Sequence, residues 1–205
     1  MAMTKIIFFL STLLFLTTSQ AGELSLNDAK IQLKVPYTMG THTLKASQLS
    51  GSLQWSESRQ QLLSGELILA VQDIAADDET LRCHLLESLT LDYTKSDFPK
   101  KHVCEGDKLP LEGKNAPVYS NIKVRLAGPF TLTDNAVLVE WEIHGVKKEQ
   151  TLPLEIKLSE DKKTFTLKAN FKLKRSDFGI VVKKFLFIDA DDKLPIEVEI
   201  TGDTQ

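Results

Sequence analysis

The stretch "FTLKANFKLK", residues Phe165–Lys174, alternates apolar and polar residues without a break. A period of two is typical of a β-strand, because successive side chains point to opposite faces of the sheet. This is the longest alternating run in the chain, and it predicts a sheet that turns one face toward a core. The apolar face of the run carries Phe165, Leu167, Ala169, Phe171 and Leu173.

Shorter runs with the same period occur along most of the chain. Their apolar members are Ile31, Leu33 and Val35; Leu67, Leu69 and Val71; Ile122, Val124 and Leu126; Val137, Val139, Trp141 and Ile143; Leu152, Leu154, Ile156 and Leu158; and Ile196, Val198 and Ile200. His144-Gly145 and "SEDKK" (residues 159–163) lie between such runs and predict hairpin turns. We therefore expect a largely antiparallel sheet, and the periodicity fits a two-sheet sandwich and a closed barrel equally well.

One segment, "DDETLRCHLLESLTLDY" (residues 77–93), has helical rather than strand spacing. Its apolar residues Leu81, Leu85 and Leu89 recur every four positions. Asp77 or Asp78 is a suitable N-cap, because a short acidic side chain accepts hydrogen bonds from the first free N–H groups of a helix. The sequence predicts one helix from about residue 79 to residue 91.

The N-terminus has the features of a signal peptide. Lys5 is followed by an apolar run from Ile6 to Leu16, which is too short to cross a membrane. Ser19-Gln20-Ala21 places small residues where a signal peptidase cuts. We predict that residues 1–21 are a signal peptide cleaved after Ala21, that residues 22–205 form one domain, and that the protein is periplasmic. A retained membrane anchor is the alternative.

Charge and motifs exclude several classes of function. The full chain carries a formal charge of −3, so nucleic acid is not an expected partner. No nucleotide-binding loop, serine-hydrolase elbow or zinc-protease motif occurs. We predict that the protein is not an enzyme, with a small hydrolase as a remaining alternative.

Two cysteines, Cys83 and Cys104, predict a disulfide in an exported chain, and two buried thiols are the alternative. With His84 and His102 they are also a possible zinc set. We disfavour zinc, because a disulfide consumes both sulfurs and adjacent helical residues point about 100° apart. The acidic run "DADDK" (residues 189–193) lacks the glycine and glutamate of a calcium loop. The sequence thus predicts no metal site.

Four motifs resemble those of the YceI-like family of exported lipid-binding proteins. They are "SQLSGSLQW" (residues 47–55), "CHLLESLTLDYTKSDFPKKHV" (83–103), "VEWEIHGVKKEQTLPLEI" (139–156) and "KLKRSDFGI" (172–180). The Arg-Asp step that usually precedes the His-Leu helix is missing, and Cys83 and Cys104 are additions to the family pattern. The resemblance implies an all-β antiparallel lipocalin-like barrel of about eight strands with one short α-helix. It also implies that the barrel binds an amphiphilic isoprenoid lipid, either a polyprenol or an isoprenoid quinone, with no other cofactor.

An eight-stranded barrel either fills with its own side chains or holds one slender ligand. The residues alone favour a filled core. The family resemblance reverses this preference, and it implies that the inward apolar residues line a channel. The predicted cavity residues are Ile31, Leu33, Val35, Leu67, Leu69, Val71, Val139, Trp141, Leu154, Ile156, Phe165, Leu167, Phe171 and Phe178. A filled barrel would instead suit a protein-interaction module associated with a membrane redox complex. Transient contact with a membrane or a membrane protein is expected if the protein carries a lipid.

Three polar residues are predicted at the cavity rim: His84, Arg175 and Asp177. Arg175 and Asp177 are two positions apart, so in an extended chain their side chains point to the same side. They form an exposed ion pair, or one of them meets the headgroup of the lipid. An exposed pair alone contributes only about 0–1 kcal/mol to the free energy of folding.

Overall fold

A computed structural model describes residues 22–183 and 190–204, and the predicted signal peptide lies outside these ranges. The strands are β1 (Gly22–Tyr37), β2 (Gly40–Ala46), β3 (Ser50–Ser56), β4 (Gln61–Ala70), β5 (Asn121–Leu126), β6 (Phe130–Thr131), β7 (Ala136–Ile143), β8 (Val146–Pro153), β9 (Glu155–Leu158), β10 (Thr164–Lys174) and β11 (Lys193–Thr204). Helix α1 spans Glu79–Thr90, and short 3₁₀ turns span Val71–Asp73 and Arg175–Phe178. No helix within the described ranges has the length and apolar character needed to cross a membrane.

The sheet is antiparallel and curls into a barrel. Its strands follow the order β8-β7-β5-β4-β3-β1-β11-β10-β9. β8 pairs with β7 and β9 pairs with β10, so the bent segment 146–158 belongs to both ends of this order. Likewise β2 and β3 both pair with β1, and β5 and β6 both pair with β4. Counting each bent strand once gives eight, which confirms the predicted barrel of about eight strands with one helix.

Local sequence signals explain how the chain turns between strands. His144 and Gly145 have φ values of 52° and 74°, the conformation of a type I′ hairpin turn, and they join β7 to β8 as predicted. The loop of residues 159–163 joins β9 to β10. Asp78 caps α1, with its Oδ1 accepting a hydrogen bond from the Leu81 N–H at 2.7 Å.

The barrel interior has two halves, which we call the lower and upper half. The lower half contains the free ends of β1 and β11 and the β9–β10 hairpin. Large buried side chains fill it, among them Trp55, Leu62, Phe130 and Phe165. The upper half contains the β1–β2 and β7–β8 hairpins, and α1 packs against it. α1 is in turn held by a small third cluster around Cys83, Leu91 and Phe98.

Gly202 fixes the close packing of the lower half. It is paired with Leu26 on β1 and with Phe165 on β10. A Cβ atom at this position would overlap the carbonyl oxygen of Ser25 and would lie 2.6 Å from Cε1 of Phe165. The absence of a side chain therefore allows the Phe165 ring to lie against the β11 backbone.

We predict that Gly202→Ala lowers the free energy of unfolding by about 1–3 kcal/mol, because overpacking a filled core forces backbone and side chains to move. Urea denaturation of the two proteins measures the difference. Gly128→Ala is the matched control, since a Cβ there meets nothing within 4 Å. Equal stability of Gly202→Ala and wild type would contradict the assignment of a filled lower half.

Candidate functional site

A cavity of about 250 Å³ lies in the upper half of the barrel, between the strands and α1. Half of the fourteen predicted cavity residues line it, and they all come from the upper ends of their strands. These residues are Ile31, Leu33, Val35, Leu67, Leu69, Trp141 and Phe171. The structure therefore brings together residues from four strands that are far apart in sequence.

The other predicted cavity residues do not line this space. Five of them pack in the filled lower half: Val139, Leu154, Ile156, Phe165 and Leu167. Val71 and Phe178 are buried in the cluster beside the cavity. A period of two shows which face of a strand is inward, but it does not show whether that height of the barrel is filled or open. The channel is thus confined to one half of the barrel.

Residues of α1 and of the segment after β10 that line the cavity were not predicted from the sequence. Leu81, Leu85 and Leu89 of α1 line the cavity, as do Ile180 and Val182 from the chain after β10. The stripe of leucines in α1 was visible in the sequence, but helical spacing alone does not indicate what a helix covers. The segment after β10 has no regular period that could have indicated its position.

The polar lining residues are few: His42, Lys45, His84, Ser88 and Arg175. Arg175 does not pair with Asp177, since the strand gives way to a 3₁₀ turn at this point. Its guanidinium instead donates hydrogen bonds to the carbonyl oxygens of Ile180, Ala190 and Asp191, at 3.2, 3.2 and 3.3 Å. Arg175 therefore holds Ile180 and residues 190–191 together beside the cavity.

Asp177 lies away from the cavity. Its carboxylate is 3.8 Å from Nζ of Lys174, and both side chains are about half exposed. The ion pair of Arg175 with Asp177, one of the two alternatives for these residues, does not form, because a 3₁₀ turn does not place residues i and i+2 on the same side. Phe178 is buried and Gly179 has a φ of 66°, so the chain turns back over the core after Phe178.

Glu87, on the same helix face as His84, forms a polar cluster beside the cavity. Its Oε2 is 3.0 Å from Nδ1 of His84 and 2.7 Å from Nδ1 of His102. Its Oε1 accepts hydrogen bonds from the backbone N–H groups of Val103 and Cys104. The Glu87 side chain is fully buried, whereas the side chains of His84 and His102 are 38% and 31% exposed. Glu87 was not among the residues predicted from the sequence, although its i,i+3 spacing from His84 on a helix indicated that the two side chains could meet.

The protonation of Glu87 is set by two opposing effects. Burial by itself would raise the pKa of its carboxyl group, because desolvation disfavours the charged form. Hydrogen bonds from His102, the Val103 backbone and His84 act in the other direction and outweigh burial. The pKa of Glu87 is therefore lowered, and the group is a buried carboxylate at neutral pH.

A disulfide joins Cys83 to Cys104 and closes a loop between α1 and the segment that contacts Glu87. The expected bridge is therefore present, and its sulfurs are not available as ligands. By the chain-entropy relation, a bridge over a loop of this length stabilises the fold by roughly 3 kcal/mol. The bridge and the Glu87 hydrogen bonds hold the same two segments together.

Trp141 forms part of the cavity wall and packs against Phe171, with ring centroids 5.7 Å apart. Its Nε1–H is buried and has no hydrogen-bond partner among the described residues. An unsatisfied buried donor costs about 1–3 kcal/mol. The ring is therefore held in the wall by packing and not by a polar contact.

We predict that Glu87→Gln lowers the free energy of unfolding at pH 7 by about 1–3 kcal/mol, since it weakens a buried hydrogen-bond network. Because the pKa of Glu87 is lower in the folded than in the unfolded protein, its carboxylate stabilises the fold at pH values above the unfolded-state pKa. This stabilisation is lost as the pH falls through the folded-state pKa. The difference between the two proteins should therefore shrink as the pH falls through the acid range below the ordinary glutamate value. Denaturation curves at several pH values measure this, with the exposed Glu112→Gln as control. A difference that stays constant down to pH 2 would contradict the assignment.

The chain is similar to a known protein family and to several solved structures. Residues 23–202 match the YceI-like domain. A solved structure of BcnA from Burkholderia cenocepacia has a TM-score of 0.60 at 12% identity, covering 84% of this chain and 95% of that one. A polyisoprenoid binding domain from Saccharophagus degradans, implicated in plant cell wall breakdown, has a TM-score of 0.58 at 11% identity, with 90% and 99% covered.

A third structure, the YceI protein of Campylobacter jejuni, has a TM-score of 0.53 at 16% identity, covering 77% of this chain and 82% of that one. No curated protein matches the sequence. At such low identity the solved structures support the barrel fold alone. The match over residues 23–202 includes nearly all of the described chain, and the protein therefore belongs to the YceI-like family.

Proposed function

We propose that this protein binds an amphiphilic isoprenoid lipid, with part of its tail in the upper cavity. The observation that carries the proposal is an almost entirely apolar cavity of about 250 Å³ inside an otherwise well-filled barrel. Apolar side chains that face an empty or water-filled space lack the contacts that a packed core provides. An apolar guest recovers the lost contacts, so the cavity favours occupancy.

The volume limits how much of a tail is enclosed. A cavity of about 150 Å³ holds one benzene molecule. By that scale the upper cavity accommodates roughly ten carbons, or about two isoprene units. Trp55, Phe130 and Phe165 fill the barrel below it. Longer tails must therefore leave part of their length outside the barrel or displace the lower core.

The distribution of polar groups suits an amphiphile with its headgroup at the upper end. Apart from the Trp141 indole, the described lining residues with side-chain nitrogen donors are His42, Lys45, His84 and Arg175, and they lie in the upper half of the barrel. Each buried CH₂ group contributes about 0.8 kcal/mol, so one five-carbon unit contributes roughly 3–4 kcal/mol before ordering losses. The similarity in fold to a polyisoprenoid binding domain supports this class of ligand. The alternative of a filled-barrel interaction module expects no such cavity.

We also propose that the protein is exported to the periplasm, where it would store or carry the lipid between membranes. The apolar run from Ile6 to Leu16 and the small residues before Gly22 support export. The Cys83–Cys104 bridge supports an oxidising compartment. Binding without catalysis is the function that this arrangement supports best.

Tryptophan fluorescence tests both the ligand and the size of the cavity. Trp141 lines the cavity, whereas Trp55 is buried in the filled lower half. We predict that isoprenoid alcohols change the fluorescence of the Trp55→Phe variant, in which Trp141 is the reporter. From one isoprene unit to two, the affinity should rise by at least about tenfold, and further units should add less because the cavity is then full.

The Trp141→Phe variant is the matched control, and its remaining Trp55 should not respond. Two results together would overturn the proposed function. Excess farnesol would leave the Trp141 fluorescence unchanged, and solvent extraction of the purified protein would recover no isoprenoid. A response of Trp55 instead would place the ligand in the lower half.

Filling the cavity should block the ligand without harming the fold. Ala46 lines the cavity and is 7% exposed. We predict that Ala46→Phe abolishes binding of the isoprenoid alcohols and leaves the free energy of unfolding unchanged or higher. Ala29→Phe is the matched substitution in the filled lower half, where overpacking should cost about 1–3 kcal/mol. Full binding by a folded Ala46→Phe variant would contradict the assignment of the cavity as the ligand site.

A further inference from the structure

The cluster of His84, Glu87 and His102 has a composition that lipid binding does not require. One ligand atom from each of these residues lies within 4.8 Å of the others. Two imidazoles and one carboxylate are a donor set that suits zinc, copper and related ions. The cluster is distinct from the Cys83 and Cys104 sulfurs, which the disulfide consumes.

The charge of Glu87 is not balanced by a permanent cation. Its side chain is fully buried, and its only ion-pair partners among the described residues are His84 and His102. Burying an unpaired carboxylate is costly, so such groups in proteins are paired with a cation or coordinate a metal. No lysine or arginine in the described part of the chain lies within 4.0 Å of this carboxylate. A positive charge at this position must come from an imidazolium or from a bound ion.

The distances suit a metal ion. Metal–nitrogen and metal–oxygen bonds of zinc are about 2.0–2.2 Å long. Neighbouring donors around one ion are then about 2.8–3.5 Å apart. The Nδ1–Oε2 distance of His84, 3.0 Å, lies in this range, and that of His102, 2.7 Å, is slightly shorter. The two imidazole rings lie beside each other, with centroids 4.0 Å apart. Small rotations of the rings would let both Nδ1 atoms and Oε2 face one ion.

The scaffold around the cluster is rigid, and the cluster is accessible. Oε1 of Glu87 is fixed by the backbone N–H groups of Val103 and Cys104, and the disulfide fixes the same segment to α1. Such outer hydrogen bonds orient a metal-binding carboxylate. The two histidines are about one-third exposed, which leaves an entry path and open coordination positions for water.

We propose that His84, Glu87 and His102 bind one divalent transition-metal ion, such as Zn²⁺ or Cu²⁺, beside the cavity. The ion is held by Nδ1 of each histidine and by Oε2 of Glu87. Both rings then carry their proton on Nε2, and the ion replaces the two Nδ1–H···Oε2 hydrogen bonds. Ca²⁺ and Mg²⁺ do not suit the site, because these hard ions prefer oxygen ligands and two of the three donors are imidazole nitrogens. The site does not depend on the proposed lipid function.

Calorimetric titration of the mature, disulfide-intact and lipid-free protein with ZnCl₂ and CuSO₄ tests the site. We expect one ion per chain, with a dissociation constant in the micromolar range or below, and no heat with CaCl₂. Nitrogen NMR of the histidine rings should show the proton of His84 and His102 on Nε2 after zinc is added. Because His102 is partly exposed, His102→Gln should remain folded, and it should weaken binding by more than about tenfold.

His42→Gln is the matched control, since His42 lies across the cavity and stacks on Tyr37 outside the cluster. It should bind zinc as wild type does. No stoichiometric binding of either ion to wild type would overturn the proposal and leave the cluster as a hydrogen-bond network. Equal affinity of wild type and the His84→Gln/His102→Gln double variant would overturn it too, by showing adventitious binding elsewhere. Neither result would affect the isoprenoid titrations.

Discussion

The antiparallel pairing of β1 with β11 is the constraint on which the rest of the structure depends. It joins the first described strand to the last from Leu24–Thr204 to Leu33–Ile196, and it turns a sheet into a barrel. Closure removes the exposed strand edges that an open sheet would present. It also fixes the width of the interior, so the side chains of eight strands must either meet across the barrel or leave a space.

The lower half of the barrel is filled by side chains, whereas the upper half contains a cavity. In the lower half, Phe130, Phe165 and Trp55 meet across the interior, and Gly202 gives the Phe165 ring the space it needs. In the upper half, the strands supply mainly branched aliphatic side chains around the cavity, and leucines of α1 also line it. A filled half supplies stability, which an open half of the same barrel lacks. The cavity is therefore possible because only part of the core is left unfilled.

The sequence correctly predicted which strand residues point inward. It did not predict which of these residues lie in the filled lower half and which lie at the upper cavity. Phe165 and Phe171 lie on the same face of β10, yet the first is in the filled core and the second is in the cavity wall. The alternation shows only whether a side chain points into or out of the barrel. Whether the interior is filled at that level depends on the side chains that the other seven strands place there. The registers between strands, which determine this, are set by pairing across the whole barrel.

The polar residues were harder to predict, for different reasons. Arg175 and Asp177 would share a side only in an extended chain, and a 3₁₀ turn separates them. Glu87 was overlooked because a glutamate on a helix is usually exposed. Its burial results from contact with residues 102–104, which lie beyond a loop whose path the sequence does not reveal. The disulfide was predictable from two cysteines in a chain with a predicted signal peptide, but the carboxylate that lies beside it was not.

Helix α1 is held over the cavity mainly by contacts at its edges. Glu87 and the disulfide attach it to residues 103 and 104, and Arg82 donates hydrogen bonds to the carbonyl oxygens of Gln72 and Ile74. The Thr90 carbonyl accepts from the N–H groups of Val118 and Tyr119. The leucines that face the cavity have few protein atoms opposite them, so burial of this face stabilises the helix less than it would over a filled core. Polar and covalent attachment therefore replaces the packing that an open cavity cannot provide, and this explains why a charged side chain lies buried beside an apolar space.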